Sequence, residues 1–220
     1  MIRILSTKKL KPNQKQFLLN AGFAVVEADF IRTTPIPFAL NDVADNLIIT
    51  SQNAVKALAA HPNVQDIRRK PVFCVGEQTA DLLDAHGFTV QEIASNAQEL
   101  ADDIVQHYAT ETFTFFSGNI RRNELPLTLM ESDVELNEIE VYETEPTPQK
   151  VGAFDGILFF SPSGVQSFLS ANEITNETCF CIGQTTASAL EKITNNIVIA
   201  NQPSVENTII QTINYYCRKP

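Results

Sequence analysis

Two apolar runs in this chain break at a small hydroxyl residue and turn polar where a helix would begin: residues 48–55, I-I-T-S-Q-N-A-V, and residues 158–165, L-F-F-S-P-S-G-V. Each reads as a buried strand running into a helix N-terminus. About 20 residues after each comes a second pair, F-C-V-G-E-Q-T-A at 73–80 and F-C-I-G-Q-T-T-A at 180–187, again strand, glycine turn and hydroxyl-rich helix start. Two copies of one β-turn-α-β-turn-α pattern predict two similar α/β lobes.

The remaining pattern fills both lobes. Residues 3–6 predict a strand, 12–21 a helix with Pro12 in its first turn and Gly22 at its cap, and 23–30 a second strand. The segment 33–37, T-T-P-I-P, carries two prolines and predicts an extended linker, as does the proline-bearing 143–148 after a strand at 135–142. Between them lie strands at 47–50, 72–75, 89–93, 112–116 and 135–141, with helices at 53–60, 78–86, 97–108 and 123–131. After the second linker come strands at 156–160, 178–182 and 197–200, and helices at 163–170, 185–193 and 205–216. Apolar strands without period-two polarity predict parallel sheets covered on both faces. The expected fold is therefore α/β, two flavodoxin-like doubly wound lobes. One comprises residues 1–33 and 143–220; the second, 34–142, is inserted into it.

A glycine- or serine-lined turn at the end of a parallel strand leaves the first helix N–H groups without partners at the positive end of the helix dipole, which makes an anion site of backbone. Ser51, Gly76, Ser161 and Gly183 mark four such turns, two per lobe, expected to face a shared cleft. Taken singly, each serine is an ordinary N-cap and each glycine an ordinary tight turn. A fifth turn, F-T-F-F-S-G-N-I-R-R at 113–122, runs through Ser117, Gly118 and Asn119 to Arg121 and Arg122 at a helix start. Cations there oppose the dipole, so an anionic ligand is the expected reason for them.

A net charge of -10 argues against a nucleic-acid surface, because phosphate tracking requires clustered Lys and Arg. An anionic small molecule still fits if Arg3, Lys8, Lys9, Arg32, Arg121 or Arg122 converge. No apolar run is long enough to span a membrane, and residues 1–10 lack a secretory leader's pattern, so the expectation is a cytoplasmic protein. The four cysteines show no C-x-x-C spacing and read as reduced core residues.

Six stretches in order resemble the uroporphyrinogen-III synthase family: T-S-Q-N-A-V (50–55), V-G-E-Q-T-A (75–80), S-G-N-I-R-R-N-E-L-P (117–126), I-E-V-Y-E-T (139–144), F-F-S-P-S-G-V (159–165) and I-G-Q-T-T-A-S-A-L (182–190). The loop after the first strand departs from the family, reading S-T-K-K where many bacterial members carry T-R. The resemblance implies two α/β lobes joined by a two-stranded ladder, the monomeric state, and no metal or other cofactor. It implies cyclisation of linear hydroxymethylbilane to uroporphyrinogen III, with inversion of the terminal pyrrole through a spirocyclic intermediate and loss of water. Backbone amides at Ser51, Gly76, Gly118, Ser161 and Gly183 would then hold the substrate's carboxylates. The hydroxyls of Thr79, Ser163, Thr185 and Thr186, the rest of the Ser117–Asn119 turn and the two arginines would add to them. Tyr142 is the candidate catalytic side chain, a protonated phenol able to assist departure of the hydroxyl; otherwise it is a strand tyrosine packing its ring. The competing reading is a non-catalytic two-lobed protein that binds an anionic small molecule, and a flavodoxin-like carrier stands behind it.

Overall fold

The structure, a computed structural model, describes residues 1–217 of the 220. In chain order the elements are β1 (Arg3–Ser6), α1 (Pro12–Asn20), β2 (Ala24–Glu27), β3 (Ile31–Pro35), β4 (Asn46–Ile49), α2 (Gln52–Ala59), β5 (Pro71–Val75), α3 (Glu77–Ala85), β6 (Thr89–Ala94) and α4 (Ala97–His107). They continue with β7 (Thr112–Gly118), α5 (Glu124–Glu131), β8 (Glu135–Pro146), β9 (Gly156–Phe159), α6 (Pro162–Leu169), β10 (Thr178–Cys181), α7 (Gln184–Ser188), β11 (Ile197–Ile199) and α8 (Val205–Cys217). The chain divides into two compact units, residues 1–32 with 145–220, and residues 33–144. Both divisions fall inside strands, β3 and β8, so residues 33–35 and 143–146 of the expected linkers are strand, and only 36–37 and 147–148 lie outside it. Pro35 is tolerated because β3 is the edge of its sheet, where a missing N–H removes no ladder bond on the open side.

The first unit's sheet runs β2-β1-β9-β10-β11, with its neighbouring strands parallel. Counted along the unit this is the flavodoxin order 2-1-3-4-5. The second unit's sheet runs β6-β5-β4-β7-β8-β3; its first five strands, parallel to their neighbours, count 3-2-1-4-5 from β4. Matching motif to motif reconciles the two orders. β4, β5 and β6 take the places of β9, β10 and β11, while β7 and β8 take those of β1 and β2. The sheets are thus wound alike, and the chain enters them at different strands, as a circular permutation would.

Apolar strands are covered on both faces in each unit. In β9, Ile157 and Phe159 join one core with Cys179, Cys181 and Phe30, while Leu158 joins the other with Ile4, Phe180 and Leu18. In β4, Leu47 and Ile49 face one core and Ile48 the opposite one. This double burial is why these strands carry no polar alternation.

Three helices end in the same left-handed cap. After α1 the Gly22 N–H donates to the Leu19 carbonyl and Phe23 N–H to that of Leu18, with Gly22 at φ 82°. After α3 Gly87 and Phe88 repeat the pattern, and after α5 Asp133 and Val134 do, with Asp133 at φ 57°. Two elements are shorter than the apolar pattern predicts. The strand expected at 23–30 leaves its ladder after Glu27, since Phe30 turns into the core beside Phe168. The helix expected at 185–193 stops at Ser188, and Leu190 and Ile193 continue with three-residue turns onto Ala187 and Leu190.

Candidate functional site

In a doubly wound sheet, the strands on either side of the point where the winding reverses send their connections to opposite faces, and ligands sit beyond their carboxyl ends. In the first unit that point lies between β1 and β9, in the second between β7 and β4.

In the first unit, Ser161 caps α6: its Oγ accepts the Gly164 N–H at 3.0 Å and lies 3.1 Å from the Ser163 Oγ. Pro162 has no N–H, so Ser163 supplies the remaining amide of that turn without an intrahelical acceptor. Across the reversal, Thr7 is buried and donates through both its amide (3.1 Å) and its Oγ1 (2.7 Å) to the Leu158 carbonyl. A Cβ at Gly164 would stand 4.0 Å from that Oγ1. The Lys8 ammonium lies 5.5 Å from the centre of the Phe160 ring, next to the Ser161 turn. Thr7 and Lys8 therefore lie beside the Ser161 turn. Lys8 is among the cations that the sequence offers; Thr7 is not among its candidates, and the sheet order is what puts the strand before them beside β9.

The loop after β1 is fastened from β2. Glu27 accepts the Leu10 N–H at 2.8 Å and pairs with Lys15, and Asp29 accepts the Lys9 N–H at 2.8 Å. Partial burial pushes the Glu27 carboxyl upward, but its bonds from Lys15 and Leu10 outweigh that and hold it below the ordinary glutamate range.

In the second unit, Ser51 caps α2 and accepts the Asn53 N–H at 3.1 Å. Gly76 precedes α3 at φ 80°, a conformation costly for any side chain, and its amide is already bound to the Ala94 carbonyl. The amides of Glu77 and Gln78 are the open ones there, beside an acidic first turn. At the end of β7 the ladder with β8 slips: Ser117 pairs with Glu140 and Gly118 with Tyr142, leaving Val141 as the extra residue of a bulge. A bulge lets consecutive side chains face one side, and Val141 and Tyr142 both join the same core. The Tyr142 ring occupies the space a side chain at Gly118 would need. A Cβ there would stand 2.9 Å from Cδ2 and closer still to Cε2 and Cζ.

Asn119 follows. Its amide donates to the Tyr142 carbonyl at 3.3 Å, its Oδ1 accepts the Thr144 N–H at 2.8 Å, and its Nδ2 donates to the Thr144 carbonyl at 3.3 Å. Arg121 is held from β8, its Nε 2.7 Å and its Nη2 2.9 Å from the two Glu138 oxygens, with Asn123 on its remaining nitrogen. Helix α5 begins at Glu124, so both arginines precede it rather than stand in its first turn. Among the described residues Arg122 pairs with Glu124, at 3.5 Å, and it is half exposed.

A family model described as uroporphyrinogen-III synthase HemD matches residues 14–210, most of the chain. The chain belongs to the uroporphyrinogen-III synthase family. It is 29% identical over 162 residues to uroporphyrinogen-III synthase of Saccharomyces cerevisiae, a match covering 60% of this chain and 58% of the yeast protein, less than two thirds of that protein's length. Its fold is similar to the crystal structure of uroporphyrinogen-III synthetase from Helicobacter pylori, with a TM-score of 0.74 at 20% identity over 98% of this chain and 100% of that one. A mutant uroporphyrinogen III synthase from the extremely thermophilic bacterium Thermus thermophilus gives 0.71 at 15% identity, with both chains covered completely.

Within this synthase-family chain the sequence-predicted residues divide by exposure. Ser51, Ser161 and Ser163 are partly exposed at their helix starts, and Thr185 is open. Thr79 and Thr186, equivalent in the repeat, are 6% and 2% exposed and face inward, so at both turns the residue before them is the one presented to solvent. Gly183 is extended at φ -174°, a conformation any residue adopts, and its turn opens a helix of five residues. Ser117 is buried, with no hydrogen-bond partner for its Oγ. The histidines lie at helix ends: His61 is 3.2 Å through Nε2 from the Phe38 carbonyl, His86 caps α3 and His107 closes α4. Among the described residues, no three His, Cys, Asp or Glu side chains gather as a metal site.

Proposed function

We propose that this chain catalyses the reaction for which its family is named, taking linear hydroxymethylbilane to uroporphyrinogen III. The hydroxyl leaves as water, the terminal pyrrole is attacked at its substituted carbon to give a spirocycle, and the ring reopens and closes inverted. The family match over residues 14–210 carries this reading. The substrate is a flexible polycarboxylate that closes unaided to the wrong isomer, so catalysis is chiefly the holding of one conformer.

The groups suited to that work are the helix-start amides at the Ser51, Gly76, Ser161 and Gly183 turns and the partly or fully exposed hydroxyls of Ser163 and Thr185, with Lys8 and Arg122 as cations at the edges of their units. Arg121 would meet a carboxylate only in competition with Glu138. Tyr142 is the proposed general acid, its ring lying on Gly118 next to the reversal in its sheet. No helix among the described residues is long and apolar enough to cross a membrane. We read the protein as a cytoplasmic monomer needing no cofactor, as the family resemblance implies.

The test is turnover of freshly generated hydroxymethylbilane, read as isomer III against isomer I. Isomer III in excess is expected; binding of the bilane with no acceleration over the uncatalysed closure would establish the binding-protein reading instead. Tyr142→Phe should lower kcat and kcat/KM together by about tenfold or more with KM nearly unchanged, because help to a leaving group is realised only in the transition state. Full activity in the folded variant would remove the phenol from the mechanism.

A further inference from the structure

The backbone around Tyr142 has a gap that one side chain fills. After the bulge at Val141 the β7–β8 ladder ends at the Gly118–Tyr142 pair, because the chain after Gly118 turns away toward α5. Thr144 lies two residues further on β8, where a continuing strand would have offered it both an acceptor and a donor. The Asn119 carboxamide supplies both, accepting the Thr144 N–H and donating to the Thr144 carbonyl, while its own amide holds the Tyr142 carbonyl. One residue thus holds the backbone at the Tyr142 carbonyl and again two residues on, and Gly118 leaves the Tyr142 ring the space beneath. The amide stands in for a peptide group, and this turn accordingly carries asparagine: aspartate has no donor for the Thr144 carbonyl, and a longer or apolar side chain cannot make the pair.

We propose that Asn119 is a positioning residue for the reaction, acting through Tyr142 rather than by binding the substrate. The proposal rests on the reading of Tyr142 as the general acid. Without the carboxamide, Thr144 loses both of its bonds to the turn while the Asn119 backbone amide still holds the Tyr142 carbonyl, so the strand is looser just after Tyr142 and the phenol spends less time where it acts. A positioning error of this kind lowers kcat with little change in KM.

The experiment is a double-mutant cycle of Asn119→Ala and Tyr142→Phe, with Asn119→Asp as a second variant, assayed on hydroxymethylbilane. The ring resonances of tyrosine-labelled protein are recorded by NMR alongside. Asn119→Ala should lower kcat about tenfold in the parent and leave it within about twofold in the Tyr142→Phe background, with Asn119→Asp intermediate. The Tyr142 ring signal, identified by its absence in Tyr142→Phe, should shift or broaden in Asn119→Ala. Equal losses in the two backgrounds, or a loss confined to KM, would overturn the proposal in favour of a direct substrate contact. If Tyr142→Phe proves fully active, the general-acid reading has failed and the role in the reaction fails with it. The ring signal then separately decides whether the clamp exists: unmoved in Asn119→Ala, it refutes that too.

Discussion

The turns after β1 and β7 occupy one place in two sheets of the same winding, yet they are built differently. In the first unit β1 has four residues and gives way at once to Thr7 and Lys8, whose loop is fastened by Glu27 and Asp29 reaching back from β2 and the bend after it. In the second, β7 has seven residues, and its turn is fastened from β8 by Glu138 on Arg121 and by the Asn119–Thr144 bonds. Glu27 pairs in register with Ser6, and Glu138 with Phe115, two equivalent positions. An acidic residue on the neighbouring strand therefore holds this loop in both units. What differs is what meets at the turn: in the first unit Lys8 of the loop lies over the Phe160 ring, and in the second Gly118 of the turn lies under the ring of Tyr142, a buried residue of β8.

The sharpest way to break this comparison is at the glycines. Gly118→Ala must displace the Tyr142 ring, so it should lower stability by about 1–3 kcal/mol and turnover by more than about tenfold. Gly164→Ala crowds the Ser161 Oγ at 3.2 Å, with the Thr7 Oγ1 at an ordinary 4.0 Å, and should cost less than about 1 kcal/mol. Urea unfolding of both variants measures the contrast, and equal losses would mean the Tyr142 ring is free to move aside.

The left-handed caps after α1 and α5 give a pair of opposite sign. Gly22→Ala should destabilise by about 1 kcal/mol, and Asp133→Gly should stabilise by somewhat less, since only the second removes a strained side chain. The shift in denaturation midpoint checks each.

The clamp at Glu27 should show itself on acidification. The stability Glu27 contributes is present above its ordinary value of 4.5 and is lost as pH falls through its lowered value in the folded state. Glu27→Gln should therefore be less stable than the parent at neutral pH and show a flatter loss below pH 4.5 when unfolding is followed against pH. Glu138→Gln, which releases a partly exposed pair, should cost about 0.5 kcal/mol at neutral pH.

The smallest effect concerns the thiols. Burial pushes Cys74 up to about 11 and its repeat counterpart Cys181, like Cys179, up to about 12. A disulfide reagent should label only the exposed Cys217 quickly in the native protein and all four cysteines after denaturation. Fast labelling of Cys181 but not Cys74 would show that the two sheets open unequally.

Much of this was legible from residues alone. Buried strands without alternation, glycines at helix ends and the repeat of T-S-Q-N-A-V in S-P-S-G-V are local signals, and they specified a doubly wound α/β chain with helix starts at or directly after Ser51, Gly76, Ser161 and Gly183. Three things depended on pairing between distant segments and had no local signature. The sheet order placed Thr7 and Lys8 beside the Ser161 turn, because β1 lies next to β9, a strand from the far end of the chain. Cross-strand reach gave Arg121 a partner in Glu138, so a guanidinium that looks unexplained at a helix start is held by a strand. The slip at Val141 turned Tyr142 onto Gly118 and gave Asn119 the role of a missing strand, since a bulge is decided by register between two strands and by neither strand's own sequence.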